Sequence, residues 1–451
     1  MKTLHYSIIT GIVITVLLFP ISMAFAQYPQ NLPHQIVPPA PDKIGCYNYT
    51  KETGWVSTPC ANTSSPVSMG PGPVENSSKR FDISVGFSPI NVAVNSNTHM
   101  IYVAHTPGNS VSVISGATNK VVSVIKVETD PWHVAVNPST NMIYASNSNS
   151  HSVSAISGLT NKVVATIQVG STPHDIIINP ETDTVYVANE DSRTISVISG
   201  ETNTVVSTVP VCNLQGAAST FAINLSTNTI YVTCTGPEGA IDVISGTTNK
   251  LVDTIHVGLD PTNVVINPST YMLYTANNGD YTVSVVSAKT DKVVSTIPVE
   301  IFPNVIAVNP VTNMVYVASD GNDSHHKLSI ISGATNKVVD TIDVASAYNV
   351  AIDSANDIIY LVNYESNSIS VIAGNTNKVI DTIPVGAAPT SIVIDNVTKA
   401  VYVANWKSDF VSLIPFSNLD LQAVPEFPFA IPLLLVSFTS VIIFYRMKFR
   451  K

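Results

Sequence analysis

The sequence predicts an all-β fold, a β-propeller of eight four-stranded blades, on three observations. A tyrosine recurs at Tyr102, Tyr144, Tyr186, Tyr231, Tyr274, Tyr316, Tyr360 and Tyr402, giving a period near 42. Each interval holds four short runs rich in Val, Ile, Thr and Tyr, separated by Asn, Gly and Pro turns, with no 3.6-residue apolar pattern. The two ends of the repeat complement one another. A period of 40–45 residues with four strands per unit belongs to propellers, whereas helical repeats of similar length need Leu and Ala faces.

One unit shows the plan. Pro131–Gly170 reads as a run His133–Val136, a turn Asn137–Asn141, and a second run Met142–Ser146. A polar loop then leads to a third run, Ser152–Ile156, a turn Ser157–Lys162 and a fourth run, Val163–Val169. Seven complete units begin at Asn91, His133, Asp175, Thr220, Asn263, Asn304 and Asn349; the eighth, from Ser391, has three runs and no fourth. The missing strand is found at the other end: Phe81–Val85, followed by Gly86 and Pro89, matches Asp381–Val385, followed by Gly386 and Pro389. Pairing the two chain ends in the last blade leaves the ring without an open break. The alternative is a seven-bladed ring with one repeat packed outside it.

The element Tyr-Val-Ala-Asn at Tyr186–Asn189 and Tyr402–Asn405, with Val-Ile-Ser-Gly-x-Thr-Asn-Lys segments as at Val113–Lys120, resembles the YVTN family of propeller repeats of archaeal surface-layer and bacterial exported proteins. The resemblance covers about three quarters of the chain and implies a surface-displayed propeller. Members commonly have seven blades, so the count of eight departs from the pattern.

The segments outside the repeat read as targeting signals and linkers. Lys2, an apolar stretch Ile8–Phe19 and Ala24-Phe25-Ala26 describe a signal peptide over 1–26, cut after Ala26, with an uncleaved anchor as the alternative. Residues 27–80, rich in Pro, Ser and Asn, form a stalk or lid, and the propeller spans 81–416. A linker follows over 417–426, then an apolar run over 427–445 and a basic tail over 446–451. A helix of that length nearly crosses a hydrocarbon core of about 30 Å and keeps its basic end in the cytoplasm. Pro425-Glu426-Phe427 ahead of the apolar helix and basic tail resembles the PEF-type archaeosortase sorting signals of archaeal surface proteins, although Pro428 stands where a Gly is common. The resemblance implies a cleaved signal and a lipid-held protein; retention would give a single-pass anchor. Either way the propeller is expected on the extracellular face of the membrane, held by its C-terminus.

Composition narrows the partners. A formal net charge of −10 excludes a nucleic-acid surface, whose phosphates need a basic face. An extracellular protein or glycan is the expected partner. Four cysteines in an exported chain form two bridges, with the local pairs Cys46–Cys60 and Cys212–Cys234 favoured; buried unbridged Cys212 and Cys234 are the alternative. Asn48, Asn62, Asn76, Asn224, Asn322 and Asn396 each head an Asn-x-Ser/Thr glycosylation triplet.

Chemistry is expected, if anywhere, at one mouth of the central channel. The position two residues after the repeat's Pro holds Asn91, His133, Asp175, Thr220, Asn263, Val305, Asn349 and Ser391, of which seven are polar. With His174 beside Asp175, this ring reads either as a ligand site or as a funnel that satisfies strand-end amides. Propellers distantly similar to this one hold redox metals with channel histidines, and two histidines fall short of such a centre. The loop Asp320–His326 places oxygen ligands at Asp320, Asn322 and Ser324, with His325 and His326 nearby. It is a partial calcium loop that lacks the closing Glu, so a hairpin tip is the plainer reading. No nucleophile elbow, phosphate loop or His-Glu-x-x-His occurs. The expectation is therefore a binding or structural module of the cell envelope with no cofactor beyond a calcium ion. The rival is an exported lyase or metal-dependent oxidoreductase, to be recognised by His133, His174 and Asp175 converging on one point.

Overall fold

The computed structural model describes residues 79–213, 216–321 and 326–419, together with the backbone of strands Cys46–Thr50 and Gly54–Thr58. Residues 1–26, read from the sequence as a signal peptide, the C-terminal apolar run, Cys60, Asn62, Asn76, Asn322 and Ser324 lie outside the described residues, as do the side chains of Cys46 and Asn48. Among the described residues no helix is long and apolar enough to cross a membrane. The strands Cys46–Thr50 and Gly54–Thr58 pair antiparallel within a unit separate from the propeller.

The repeat builds eight four-stranded antiparallel sheets, and this decides the count at eight blades. Their innermost strands are Pro89–Asn95, Pro131–Asn137, Pro173–Asn179, Ala217–Asn224, Pro261–Asn267, Pro303–Asn309, Ala347–Asp353 and Pro389–Asp395, which number blades 1 to 8. Each innermost strand packs against its counterparts on both sides, and blade 8 closes onto blade 1, so no repeat sits outside the ring. Seven blades follow the chain outward from first strand to fourth. In blade 8 the fourth place is taken by Phe81–Ser84, paired to Phe410–Pro415 in the register Phe81↔Leu413, Ile83↔Val411. The chain is thereby closed by its own two ends.

Turn chemistry sets the hairpins. The turns between first and second strands, and between third and fourth, end on a residue in the left-handed region. It is usually Asn or Asp, as at Asn119, Asn141, Asn161, Asp183, Asn203 and Asp291, with φ between 47° and 56°. Those side chains tolerate this backbone because they bond locally. Opposite them the first strand ends on an Asn or Asp that folds back on its own turn, as Ser139 N–H donates to Asn137 Oδ1 at 3.0 Å.

Burial departs from the alternation in the sequence. The second and third strands are buried on both faces, including the serines at every other position: Ser112, Ser154 and Ser196 are 0–1% exposed. The reason is that blades pack face to face, so a blade has no solvated side except at its outermost strand. There alternation returns, and six of the eight fourth strands open on an exposed Lys, such as Lys120, Lys162 or Lys250. A charged start on an exposed edge strand discourages pairing with other chains.

The repeated tyrosines bind blade to blade. Tyr144 is fully buried among Ile176, Ile178, Val185 and Val187 of the next blade, and its hydroxyl donates to Asn203 Oδ1 at 3.1 Å. Tyr231 donates to Asp291 Oδ1 at 3.2 Å, and Tyr402 of blade 8 to Asn119 Oδ1 of blade 1 at 2.9 Å. Burial raises the Tyr102 and Tyr186 hydroxyls to about 12.

Closure makes a direct prediction. A chain beginning at Gly86 loses Ile83 and Val85, each buried against Val411 and Leu413, and exposes the edge of Phe410–Pro415. Compared with a chain beginning at Lys79, it should lose about 3–6 kcal/mol in denaturant titration, the burial of two aliphatic side chains. It should also self-associate in sedimentation.

Candidate functional site

The ring of polar residues at the head of the inner strands is sealed into the seams between blades. Asn91, His133, Asp175, Thr220, Asn263, Asn349 and Ser391 are 0–6% exposed, and His174 is 7%. In blades 1, 2, 5, 7 and 8 the residue follows an irregularity in pairing between the strand's Pro or Ala and this position, for example Pro89/Asn91 and Pro131/His133. Such a bulge frees backbone groups that another partner must then satisfy.

The neighbouring blade supplies that partner. Val134 N–H donates to Asn91 Oδ1 at 3.1 Å, and Val92 N–H to Ser391 Oγ at 3.2 Å. Thr220 Oγ1 donates to the Thr262 carbonyl at 3.4 Å, and Asn349 Nδ2 to the Thr390 carbonyl at 3.2 Å. At the opposite end of the inner strands a second series runs across the seams. Asn95 donates to Asn141 Oδ1 at 2.8 Å, Asn179 to Asn228 Oδ1 at 2.8 Å and Asn267 to Asn313 Oδ1 at 2.7 Å. Asn91 and Ser391 thus satisfy amides of the neighbouring blade, Thr220 and Asn349 bond its carbonyls, and the ring is buried where a solvated funnel was expected.

Of His133, His174 and Asp175, the structure brings His133 and Asp175 face to face. His133 Nε2 stands 3.6 Å from Asp175 Oδ1, longer than a hydrogen bond, and neither ring nitrogen of His133 has a hydrogen-bond partner among the described residues. The ring of His174 lies against Trp132, centroids 5.1 Å apart. Burial lowers His133 to about 3, with the His174 charge adding to the effect, and lowers His174 to about 4. Both imidazoles are neutral at neutral pH.

The Asp320 loop is described only at its ends. Asp320 Oδ1 lies 3.5 Å from His326 Nδ1 and accepts from Ser346 Oγ at 3.5 Å, while burial raises its pKa. Of the glycosylation triplets, Asn396 is exposed in a turn. Asn224 is 4% exposed, and its Oδ1 accepts from Ser226 N–H at 3.2 Å and Ser226 Oγ at 2.7 Å. Asn224 thus ends an inner strand and ties its own turn from a buried position, unlike the exposed Asn396.

Cys212 and Cys234 are bonded to each other, with Cα atoms 5.1 Å apart. The bridge joins the link between blades 3 and 4 to the second strand of blade 4, Thr229–Thr235. Beside it lies Asp242, 3% exposed, whose Oδ2 accepts from Cys212 N–H at 2.7 Å and whose Oδ1 accepts from Thr254 Oγ1 at 2.6 Å. These residues, with Asn213, Ala240 and His256, line a pocket of about 240 Å³. The sequence pointed to the bridge but not to Asp242 or the pocket. The signal that could have found them is that blade 4 alone breaks the Ser at this strand position.

Fold and seams together define a closed eight-bladed β-propeller. No protein-family model matches the chain, and no curated protein matches it. Among solved structures the chain is similar to the hydrazine synthase of Kuenenia stuttgartiensis, at 18% identity and a TM-score of 0.53, over 76% of this chain and 99% of that one. It is also similar to the dihydro-heme d1 dehydrogenase NirN in complex with DHE, at 11% identity and a TM-score of 0.61, over 73% of each chain. At these identities the likeness is one of fold.

The buried imidazoles fix how stability should vary with pH. Their folded values lie below the ordinary 6.5, so between pH 6.5 and about 3 the unfolded chain binds more protons than the folded one. Stability is then complete above pH 6.5 and falls as pH drops through that window, by a few kcal/mol in urea titrations. His133→Gln should make the fall shallower, while Asn91→Ala should lower stability by about 1–2 kcal/mol at every pH through a lost seam bond.

Proposed function

We propose that the chain is a cell-surface β-propeller that serves as a binding or structural module of the cell envelope. The observation that supports this most is the use made of the repeat's polar positions. The side chains that head the inner strands, where a propeller presents groups to a ligand, are buried, and Asn91, Thr220, Asn349 and Ser391 have hydrogen bonds committed across blade seams. A ring built this way is a rigid scaffold whose specificity rests with loops and rim. The surface assignment rests on the signal peptide read from the sequence, on the C-terminal apolar run with its basic tail, and on the YVTN-type and PEF-type resemblances, with an extracellular protein or glycan as partner. The test is surface proteolysis of intact cells, which should release propeller fragments from 81–416; recovery of the intact chain only from the cytosol would refute the reading. Peptide mapping of the same material should find glycan on Asn396 and none on Asn224.

One observation favours a second reading, an exported enzyme with a metal or other cofactor. His133 offers two neutral ring nitrogens without hydrogen-bond partners among the described residues, 3.6 Å from a carboxylate oxygen, and buried polar atoms of that kind call for a ligand or a trapped molecule. The propellers similar in fold include a hydrazine synthase and a dihydro-heme d1 dehydrogenase. Elemental mass spectrometry of the exported protein, purified without added metal or chelator, decides between the two. Stoichiometric copper, zinc or iron that His133→Gln removes would establish the enzyme reading, and a metal-free protein leaves the scaffold.

A further inference from the structure

The eight blades can be aligned with one another position by position, and blade 4 departs from the rest at three places that meet in space. Seven blades carry Ser at the third residue of the third strand, as at Ser154, Ser196 and Ser284, and blade 4 carries Asp242. The second strand of most blades has Asn facing that Ser. Asn147, Asn189 and Asn277 donate to Ser154, Ser196 and Ser284 at 2.9–3.0 Å, and blade 4 has Cys234 instead. The link into the blade carries Gly at the neighbouring point in blades 1, 3, 5 and 8, at Gly86, Gly170, Gly258 and Gly386, and blade 4 has Cys212. A Cβ placed on Gly170 or Gly258 would stand 2.5–2.7 Å from the Asn side chain, so at those links Gly and Asn are coupled, and blade 4 replaces both. Three neighbouring replacements turn a Gly-Asn-Ser cluster into Cys-Cys-Asp.

A structural bridge accounts for two of these replacements and not for the third. Burying a carboxylate is costly even when hydrogen-bonded, and a Ser already accepts the link N–H in blade 5, where Gly258 N–H donates to Ser284 Oγ at 3.3 Å. In blade 4 the carboxylate oxygen and the two sulfurs lie within 4.8 Å of one another, with Cys234 Sγ 3.6 Å from Asp242 Oδ2. Tetrahedral zinc with Zn–S bonds of about 2.3 Å holds two sulfurs about 3.8 Å apart and accepts carboxylate oxygen as a further ligand. Opening the bridge would let the sulfurs separate to that distance without moving the carboxylate. The pocket gives a route in, between the exposed side chains of Asn213 and His256.

We propose that this pocket is a redox-gated site for a thiophilic divalent cation such as Zn²⁺. An external dithiol is oxidised to its disulfide and delivers two electrons and two protons to the Cys212–Cys234 bond. The cation then takes both sulfurs and an Asp242 oxygen and displaces the two thiol protons, leaving its fourth position to water or to His256. The oxidised protein has no site, because the sulfurs are bonded to one another.

The test uses the full chain carrying Cys46→Ser and Cys60→Ser, so that only one pair reports. After anaerobic reduction with a phosphine, Cd²⁺ is added as the spectroscopic probe and Zn²⁺ as competitor. One equivalent of Cd²⁺ should bind, with thiolate-to-cadmium charge-transfer absorption that Zn²⁺ quenches, and the oxidised chain should bind none. Asp242→Asn should weaken binding by more than about tenfold while leaving the sheet circular dichroism and the reducible pair intact. Absence of stoichiometric binding after reduction, equal affinity in Asp242→Asn, or loss of the sheet signal on reduction alone would each overturn the proposal and leave the bridge purely structural.

Discussion

Everything in this molecule depends on the seam between one blade and the next. A four-stranded sheet of this length has two faces to cover, and the only surface that can cover them is the adjacent blade, repeated until the ring closes. The residues that the repeat keeps most regular lie at that seam. Tyrosines such as Tyr144 and Tyr402 reach from one blade into the turn of the next, Asn95 and Asn179 cross at one end of the inner strands, and Asn91 and Ser391 cross at the other. Each bond satisfies a buried group that would otherwise cost a few kcal/mol. A seam therefore tolerates change only when both sides change together.

The same constraint explains why a polar ring can be mistaken for a ligand mouth. Asn, Thr and Ser at the head of an inner strand look available in one dimension, because polar residues near a loop usually meet water. In the closed ring the adjacent strand is so near that its N–H and C=O groups reach them first. His133 and Asp175 occupy the same places with different chemistry. They face each other at 3.6 Å inside a buried seam, and the protein meets the burial by keeping the imidazoles uncharged. His133 is where the architecture leaves chemistry unspent.

Blade 4 is where the repeat changes its chemistry. The link from blade 3 carries Cys212 where several other links carry Gly, and the bridge to Cys234 fastens that link over a pocket walled by a buried carboxylate. Because the blades are copies, the other seven act as controls for the eighth. Where Ser and Asn suffice elsewhere, as in the Asn277–Ser284 pair, a carboxylate beside two sulfurs needs its own reason.

The sequence by itself determined the fold class, the eight repeats and the manner of closure, and the structure decided that all eight stand in one ring. The period, the four β-rich runs and the match of Phe81–Val85 to Asp381–Val385 are local facts, and a repeat that buries itself only against copies of itself has one way to use them. It also pointed to the Cys212–Cys234 bridge, since both residues flank one irregular link. Only the tertiary structure decided which polar residues face water. The alternation Ser-Val-Ser-Val-Ile-Ser reads as a half-solvated strand, yet Ser112 is fully buried, and its hydroxyl donates to the Val85 carbonyl of the link that leads in from blade 8. Asn224 reads as a sugar acceptor and is a buried turn lock. Asp242 reads as one more polar residue and stands against a disulfide whose first cysteine comes from the preceding link. Burial of this kind is set by packing between segments far apart in the chain, and distance in space is what a linear pattern does not carry.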